Sequence, residues 1–344
     1  MKILIIAPSW VGDMVMSQAL YITLKQQHPN ALIDVMAPAW CKPILERMPQ
    51  VNKAIEMPIG HGQFNLKGRY QLGKSLREEN YSHAIIMPNS AKSALIPLFA
   101  KIPHRTGWKG ETRYGLLNDI RTNKKQFGLV VERYCSLAYP KAMMTNSSAI
   151  PHIPYPKLSV EPEAQANAIQ RLGLNPERPV IGMCPGAEFG PAKRWPDEYF
   201  SEVAKHLIEQ GYQVWLFGSQ KDQTVTDSIR GRLSEEQQEH CFNLAGETSL
   251  IEAVDLLAGC QTVISNDSGL MHVAAAVGSQ VVAIFGSTSP DYTPPLSDKV
   301  EVVHTDIECR PCFKRECPYG HLKCLKELMP KQVLKAIDQL QKSA

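Results

Sequence analysis

The 344-residue chain lacks any apolar run near the roughly 18 residues that a membrane-crossing helix requires. Its first residues, Met-Lys-Ile-Leu-Ile-Ile-Ala closed by Pro8, carry one side-chain charge and no small-residue cleavage site, which is not the pattern of a secretory signal. A soluble, cytoplasmic protein is the expectation. Gly-x-Gly-x-x-Gly is missing, and so is Gly-x4-Gly-Lys-Ser/Thr, so neither the dinucleotide fingerprint nor the P-loop is available. No internal repeat and no low-complexity tract occurs. There is no basic–aromatic ribonucleoprotein pattern, zinc finger or heptad, which argues against nucleic acid as a partner. What remains is 44% hydrophobic and 21% charged residues, enough for proper cores and too much for wholesale disorder. The length suggests two domains.

The net charge of +3 hides an asymmetry. Residues 1–156 hold 19 Lys and Arg against 9 Asp and Glu, whereas residues 157–344 hold 18 against 25. A basic half joined to an acidic half suggests that the first faces something anionic, although a solvated charged face is the plain alternative. The basic density peaks over residues 101–133, which include Arg105, Arg113 and Arg121.

Short apolar runs alternate with helical patterns. Lys2–Ala7, Ala31–Ala37, Val51–Met57 and His83–Met87 read as strands, with helices over Met14–Gln27, Ala39–Met48 and Leu72–Glu79. Pro140, Pro151, Pro154 and Pro156 mark a linker, after which the alternation restarts. Val180–Cys184, Gln213–Gly218, Thr262–Ser265 and Gln280–Phe285 read as strands, Pro196–Gln210, Leu250–Ala258 and Gly269–Val277 as helices. This alternation means parallel sheets covered on both faces, in two tandem doubly wound α/β domains. We expect domains over 1–156 and 157–330, followed by a C-terminal helix over 331–344.

Open α/β sheets bind ligands beyond the carboxyl ends of their strands, so each strand-end loop is a candidate site. Asp13, after the first strand, is suited to capping a helix or to acting as a general base. Lys193 and Arg194, in the turn from Pro185-Gly186 to Trp195-Pro196, suit a phosphate group or form a charged surface loop. Asp267, Ser268 and Gly269 precede a helix whose free N–H groups favour an anion, unless they merely cap it. His272 lies one turn further on, facing ligand or sheet. Gln220 and Thr288 follow two other strands. Four of the nine cysteines cluster as Cys309-x2-Cys312-x4-Cys317-x6-Cys324, which raises zinc or, alternatively, free thiols packing a loop.

Together, Ile5-Ile6-Ala7-Pro8-Ser9-Trp10-Val11-Gly12-Asp13-Met14, Pro185-Gly186 through Lys193-Arg194-Trp195-Pro196, Asn266-Asp267-Ser268-Gly269-Leu270-Met271-His272 and Phe285-Gly286-Ser287-Thr288-Ser289-Pro290 resemble the lipopolysaccharide heptosyltransferases of glycosyltransferase family 9. The resemblance spans essentially the whole chain. It implies a glycosyltransferase B-type fold, two Rossmann-like domains facing across a cleft, and inverting transfer of heptose from ADP-heptose without a required metal or other cofactor. The implied acceptor is the phosphorylated lipopolysaccharide inner core, already carrying Kdo and one heptose, bound by the basic first half with Arg105, Arg113 and Arg121 as contacts. Peripheral attachment to the inner membrane follows from a glycolipid acceptor. Asp13 matches the family's proposed base and Lys193 the lysine on the donor phosphates. Asp267 would face the heptose, Ser268 and Gly269 the diphosphate, with His272, Thr288 and Gln220 completing the nucleotide-sugar site. Gln220 stands where a relative has Glu, and Thr248 where one packs Met on adenine. Another nucleotide sugar or core acceptor is the alternative.

Overall fold

Strands that are buried on both faces need apolar side chains at successive positions rather than at every second one. Lys2–Ile6, Val180–Cys184, Thr262–Asn266 and Gln280–Ile284 meet that requirement, and each has a nearly continuous buried pattern. The computed structural model describes residues 1–60, 62–175 and 177–342. The chain divides into two compact units, Met1–Pro156 and Lys157–Ala344.

The first unit contains β1 (Lys2–Ile6), β2 (Leu32–Ala37), β3 (Lys53–Glu56), β4 (His83–Ile86), β5 (His104–Trp108) and β6 (Asp119–Arg121). They form one parallel sheet in the order β3-β2-β1-β4-β5-β6. The second unit contains β7 (Val180–Cys184), β8 (Gln213–Leu216), β9 (Cys241–Asn243), β10 (Thr262–Asn266), β11 (Gln280–Ile284) and β12 (Val300–Val303), again parallel, in the order β12-β11-β10-β7-β8-β9. Counted from each unit's own first strand, the two orders are the same, 3-2-1-4-5-6 read along the sheet, which is the Rossmann order.

Local signals set the helices. Val11–Gln27 buries ten of its residues, among them Met14, Leu20 and Leu24. Asp197–Glu209 follows Pro196, carries Asp197 and Glu198 where the helix dipole favours anions, and stops before Gly211, whose φ of +91° suits glycine. Leu250–Ala258 opens on a capping box: Ser249 Oγ accepts from Glu252 N at 3.3 Å, and Glu252 Oε2 accepts from Ser249 N at 2.8 Å. Pro330–Lys342 turns Val333, Ala336, Ile337 and Leu340 inward and packs on β12 and Asp197–Glu209. The last two residues of the C-terminal helix expected over 331–344 lie outside the described residues.

The basic tract 101–133 is less of a surface than its charge suggests. It supplies β5 and β6, whose sequences HRTGW and DIR are too polar to read as strands. β5 pairs on β4 and β6 on β5, at the sheet's margin.

Candidate functional site

In a parallel sheet of this order the chain leaves the first strand in one direction and later returns to its other side. The loops after those two central strands therefore diverge and leave a crevice at their carboxyl ends. In the second unit the two strands are β7 and β10, and the groups the sequence singled out lie there. Lys193, at the end of the loop after β7, and Asp267, the first residue after β10, meet as an ion pair with Nζ 2.6 Å from Oδ2. Thr288, from the loop after β11, donates Oγ1 to the same Oδ2 at 2.5 Å. The pair is largely withdrawn from water: the Lys193 side chain is 13% exposed and that of Asp267 4%.

The twelve-residue loop 185–196 could not hold a lysine there without anchors. Asn266, buried at the end of β10, supplies two: its Oδ1 accepts from Trp195 N at 3.1 Å and its Nδ2 donates to Pro185 O at 2.7 Å. Trp195 is itself buried and donates Nε1 to Leu328 O at 2.7 Å. Gly186 permits the loop to pass the next one, because a Cβ there would lie 2.5 Å from Asp222 Oδ1. Phe189 lies beneath two cations, 5.0 Å from Lys193 Nζ and 5.4 Å from Arg315 Cζ.

Directly after Asp267 the helix Gly269–Ala276 begins, with Ser268 as its N-cap residue. Ser268 does not close the helix end through its side chain; its Oγ lies 3.3 Å from Ser265 Oγ. The first N–H groups of this helix therefore point out of the carboxyl edge of the sheet beside Lys193, an arrangement suited to an anion. His272 is buried in the first turn, and burial pushes its pKa down to about 4, with Asp267 opposing the shift and Lys193 adding to it. It is a neutral imidazole at neutral pH and adds no positive charge to the crevice. Gln220, in the loop after β8, is exposed, donates to Gln223 Oε1 and rests against Gly246.

In the first unit the corresponding strands are β1 and β4. The helix after β1 begins at Val11, so Asp13 is its third residue and not its cap. The N-cap position belongs to Trp10, which makes no side-chain capping bond. Asp13 is half-buried and its Oδ1 accepts from Tyr134 Oη at 2.8 Å. Tyr134 lies 121 residues away, and nothing in the sequence marks it. Phe189, Asn266 and Arg315 are likewise second partners that motif reading left without roles.

The three arginines expected to touch an acceptor are each engaged within the first unit. Arg113 is 1% exposed; it donates to Pro88 O at 2.8 Å and also to Trp108 O. Arg121 is 4% exposed, paired with Asp119 at 2.8 Å and bonded to Tyr139 O. Both guanidiniums tie loops and β6 together from inside, because the short polar strands of this margin leave carbonyls that need donors. Arg105 is half-buried, donating to Leu116 O at 2.7 Å and Ile102 O at 2.6 Å.

Residues 69–323 match glycosyltransferase family 9 (heptosyltransferase). The lipooligosaccharide heptosyltransferase 2 of Haemophilus influenzae is 54% identical over 99% of both chains, and the lipopolysaccharide heptosyltransferase 2 of Escherichia coli K12 is 52% identical over 99% of this chain and 98% of its own. The solved structure of E. coli ADP-heptose lps heptosyltransferase II superimposes with a TM-score of 0.90 at 51% identity over the whole of both chains. An E. coli heptosyltransferase solved with ADP, 19% identical with a TM-score of 0.70 over 99% of this chain and 100% of that one, shares the fold. With two parallel six-stranded Rossmann-like units and full-length relatives at more than half identity, the chain belongs to glycosyltransferase family 9, the heptosyltransferases, and is a transferase enzyme.

Proposed function

We propose that this enzyme moves a heptose from ADP-heptose to the heptosyl-Kdo inner core of lipopolysaccharide, with inversion at the anomeric carbon. The observation that carries the donor half is the Lys193–Asp267–Thr288 cluster beside the open N-terminus of Gly269–Ala276. The full-length relatives named heptosyltransferase 2 support the substrate class.

In this reading Asp13 takes the proton of the acceptor hydroxyl as its oxygen attacks the anomeric carbon. The bond from that carbon to the ADP oxygen breaks, and negative charge grows on the leaving diphosphate. Lys193 has three N–H donors; one goes to Asp267, which orients the ammonium, and the others face that charge. The amides of Ser268 and Gly269 add the positive end of the helix. Thr288 keeps the carboxylate of Asp267 fixed. Gln220 reaches the ribose side from the next strand end. The cation at the diphosphate is Lys193, and no cofactor enters the step. On the acceptor side, the basic excess of residues 1–156 suits a phosphorylated glycolipid. Among the described residues no helix is long and apolar enough to cross a membrane; a peripheral position at the cytoplasmic face of the inner membrane is the corresponding proposal.

The test is ADP release from ADP-heptose with a lipopolysaccharide acceptor truncated after the first heptose, comparing wild type, Asp13→Asn and Lys193→Ala. Turnover by wild type and its loss in both variants, with folding intact by circular dichroism, supports the reading. Turnover only with another nucleotide sugar overturns the substrate while leaving the family untouched.

A further inference from the structure

The motif the transferase reading does not absorb is the late cysteine cluster. The chain brings Cys309, Cys312, Cys317 and Cys324 around one cavity of about 10 Å³, room for a single atom-sized guest and not for a substrate. The first three thiols are half-buried and the fourth is buried, and the other three lie within electrostatic reach of Cys324.

A further observation points to something anionic at this cavity. Ser287 Oγ and Arg310 Nη2, both lining it, are buried donors with no hydrogen-bond partner. Such orphaned donors are costly and rare unless a ligand completes them. In the turn after Cys317, Gly320 N donates to Cys317 O at 3.1 Å. The loop curls to do this through Gly320 (φ +71°) and Leu322 (φ +51°), and Phe313, directly after Cys312, is also left-handed at φ +55°. His321 Nδ1, 3.9 Å from Cys317 Sγ, already accepts from Lys323 N at 3.0 Å, which leaves the four sulfurs as the ligand set.

We propose that these four cysteines form a tetrathiolate site for one soft divalent metal ion, zinc or iron(II), with Arg310 and Ser287 as outer donors to the sulfurs. Binding converts four thiols to thiolates and releases four protons, and the resulting centre of charge −2 is partly balanced by the Arg310 guanidinium. Among the described residues no three Cys, His, Asp or Glu side chains already converge on a ligating point. Turning the thiols inward about their Cα–Cβ bonds is the motion that ligation requires.

The site would staple the donor loops. Ala192 N donates to Arg315 O at 3.0 Å, Ser287 N to Ala192 O at 3.1 Å, Phe313 N to Ser287 O at 2.8 Å and Arg310 Nε to Gly286 O at 2.9 Å. The cysteine loop is thus sewn to the segments that present Lys193 and Thr288. This role is independent of which sugar is transferred.

The experiment is metal analysis of full-length protein purified under reductant without chelator, followed by stripping and titration with cobalt(II). One metal per chain and intense sulfur-to-cobalt charge-transfer bands are expected. Iron would colour the isolated protein and zinc would not, which separates the two ions. Cys309→Ser and Cys317→Ser should lose the metal and the bands, whereas Cys241→Ser, buried in β9 away from the cluster, should keep both. Reduced wild type that shows no charge-transfer band overturns the site, and needs no variant to fold. Retention of full metal content by Cys309→Ser and Cys317→Ser overturns it as well, as does a disulfide among the four in metal-free active protein.

Discussion

Two sheets with the same strand order carry opposite chemistry at corresponding crevices. After β1 the chain spends four residues before entering the helix Val11–Gln27, so Asp13 is held within the first turn and accepts from the hydroxyl of Tyr134. After β7 it spends twelve, and the loop folds back until Lys193 pairs with Asp267 of the neighbouring connection. A short connection can present only what the helix start carries. A long one can bring a cation across to the adjacent strand, provided that Asn266 pins both its ends. The topology fixes where a ligand can sit, and connection length decides which charge waits there.

If that contrast is functional, the first crevice should act in catalysis without contributing much to stability, and the second should do both. The largest effect is expected at Asp13. Asp13→Asn should lower kcat by about 10²- to 10⁴-fold, the range for a general base, while leaving the melting temperature close to wild type because the isosteric amide oxygen can still accept from Tyr134 Oη. Steady-state ADP release and thermal melts check both halves. A variant that melts early but turns over normally would make Asp13 structural and erase the contrast.

Lys193→Ala comes next, with an expected loss of about 10²- to 10³-fold in kcat, the scale for removing one preorganised donor to a developing oxyanion. Unlike Asp13→Asn, it should also destabilise, by up to about 3 kcal/mol, since it leaves a 4%-exposed carboxylate with Thr288 but without its cation. Urea unfolding measures this directly. Equal stability would show that Asp267 is solvated once Lys193 is gone. Tyr134→Phe sharpens the first crevice at smaller scale. Losing one hydrogen bond of about 1 kcal/mol to Asp13 should reduce kcat several-fold, with KM for ADP-heptose unchanged; a KM effect instead would place Tyr134 on the sugar donor.

Much of this was legible in the amino-acid order. Val180–Cys184 and Leu250–Ala258 coincide residue for residue with elements read from apolar runs, because a parallel strand buried on both faces and a helix with an apolar face leave local traces. The loops holding Asp13, Lys193, Asp267 and Thr288 were legible for the same reason: each follows a strand and carries glycine or a charge. The partners were not. Tyr134 and Arg315 reach the site from distant segments with no motif of their own. The strands His104–Trp108 and Asp119–Arg121 were hidden by their charges, so Arg113 and Arg121 read as surface when they serve as internal donors to backbone carbonyls. Charge density along a chain does not say which way a guanidinium points.

A last effect belongs to His272 and concerns stability against pH. Its folded pKa is about 4, depressed from 6.5 chiefly by burial. Between those values the unfolded chain binds a proton that the folded chain refuses, so protons favour unfolding. The neutral imidazole's contribution is therefore whole above pH 6.5 and is lost as pH falls towards 4, to a total of about 3 kcal/mol. Other groups titrate over this window too, and the difference between wild type and His272→Gln isolates the histidine: urea midpoints of the variant should fall less steeply from about pH 7 to pH 4. A flat difference would mean that water reaches the imidazole in the folded protein. Water there would also reach Asp267 and Lys193, weakening the ion pair by screening it, and the second crevice would then hold its cation no more tightly than a surface pair is held.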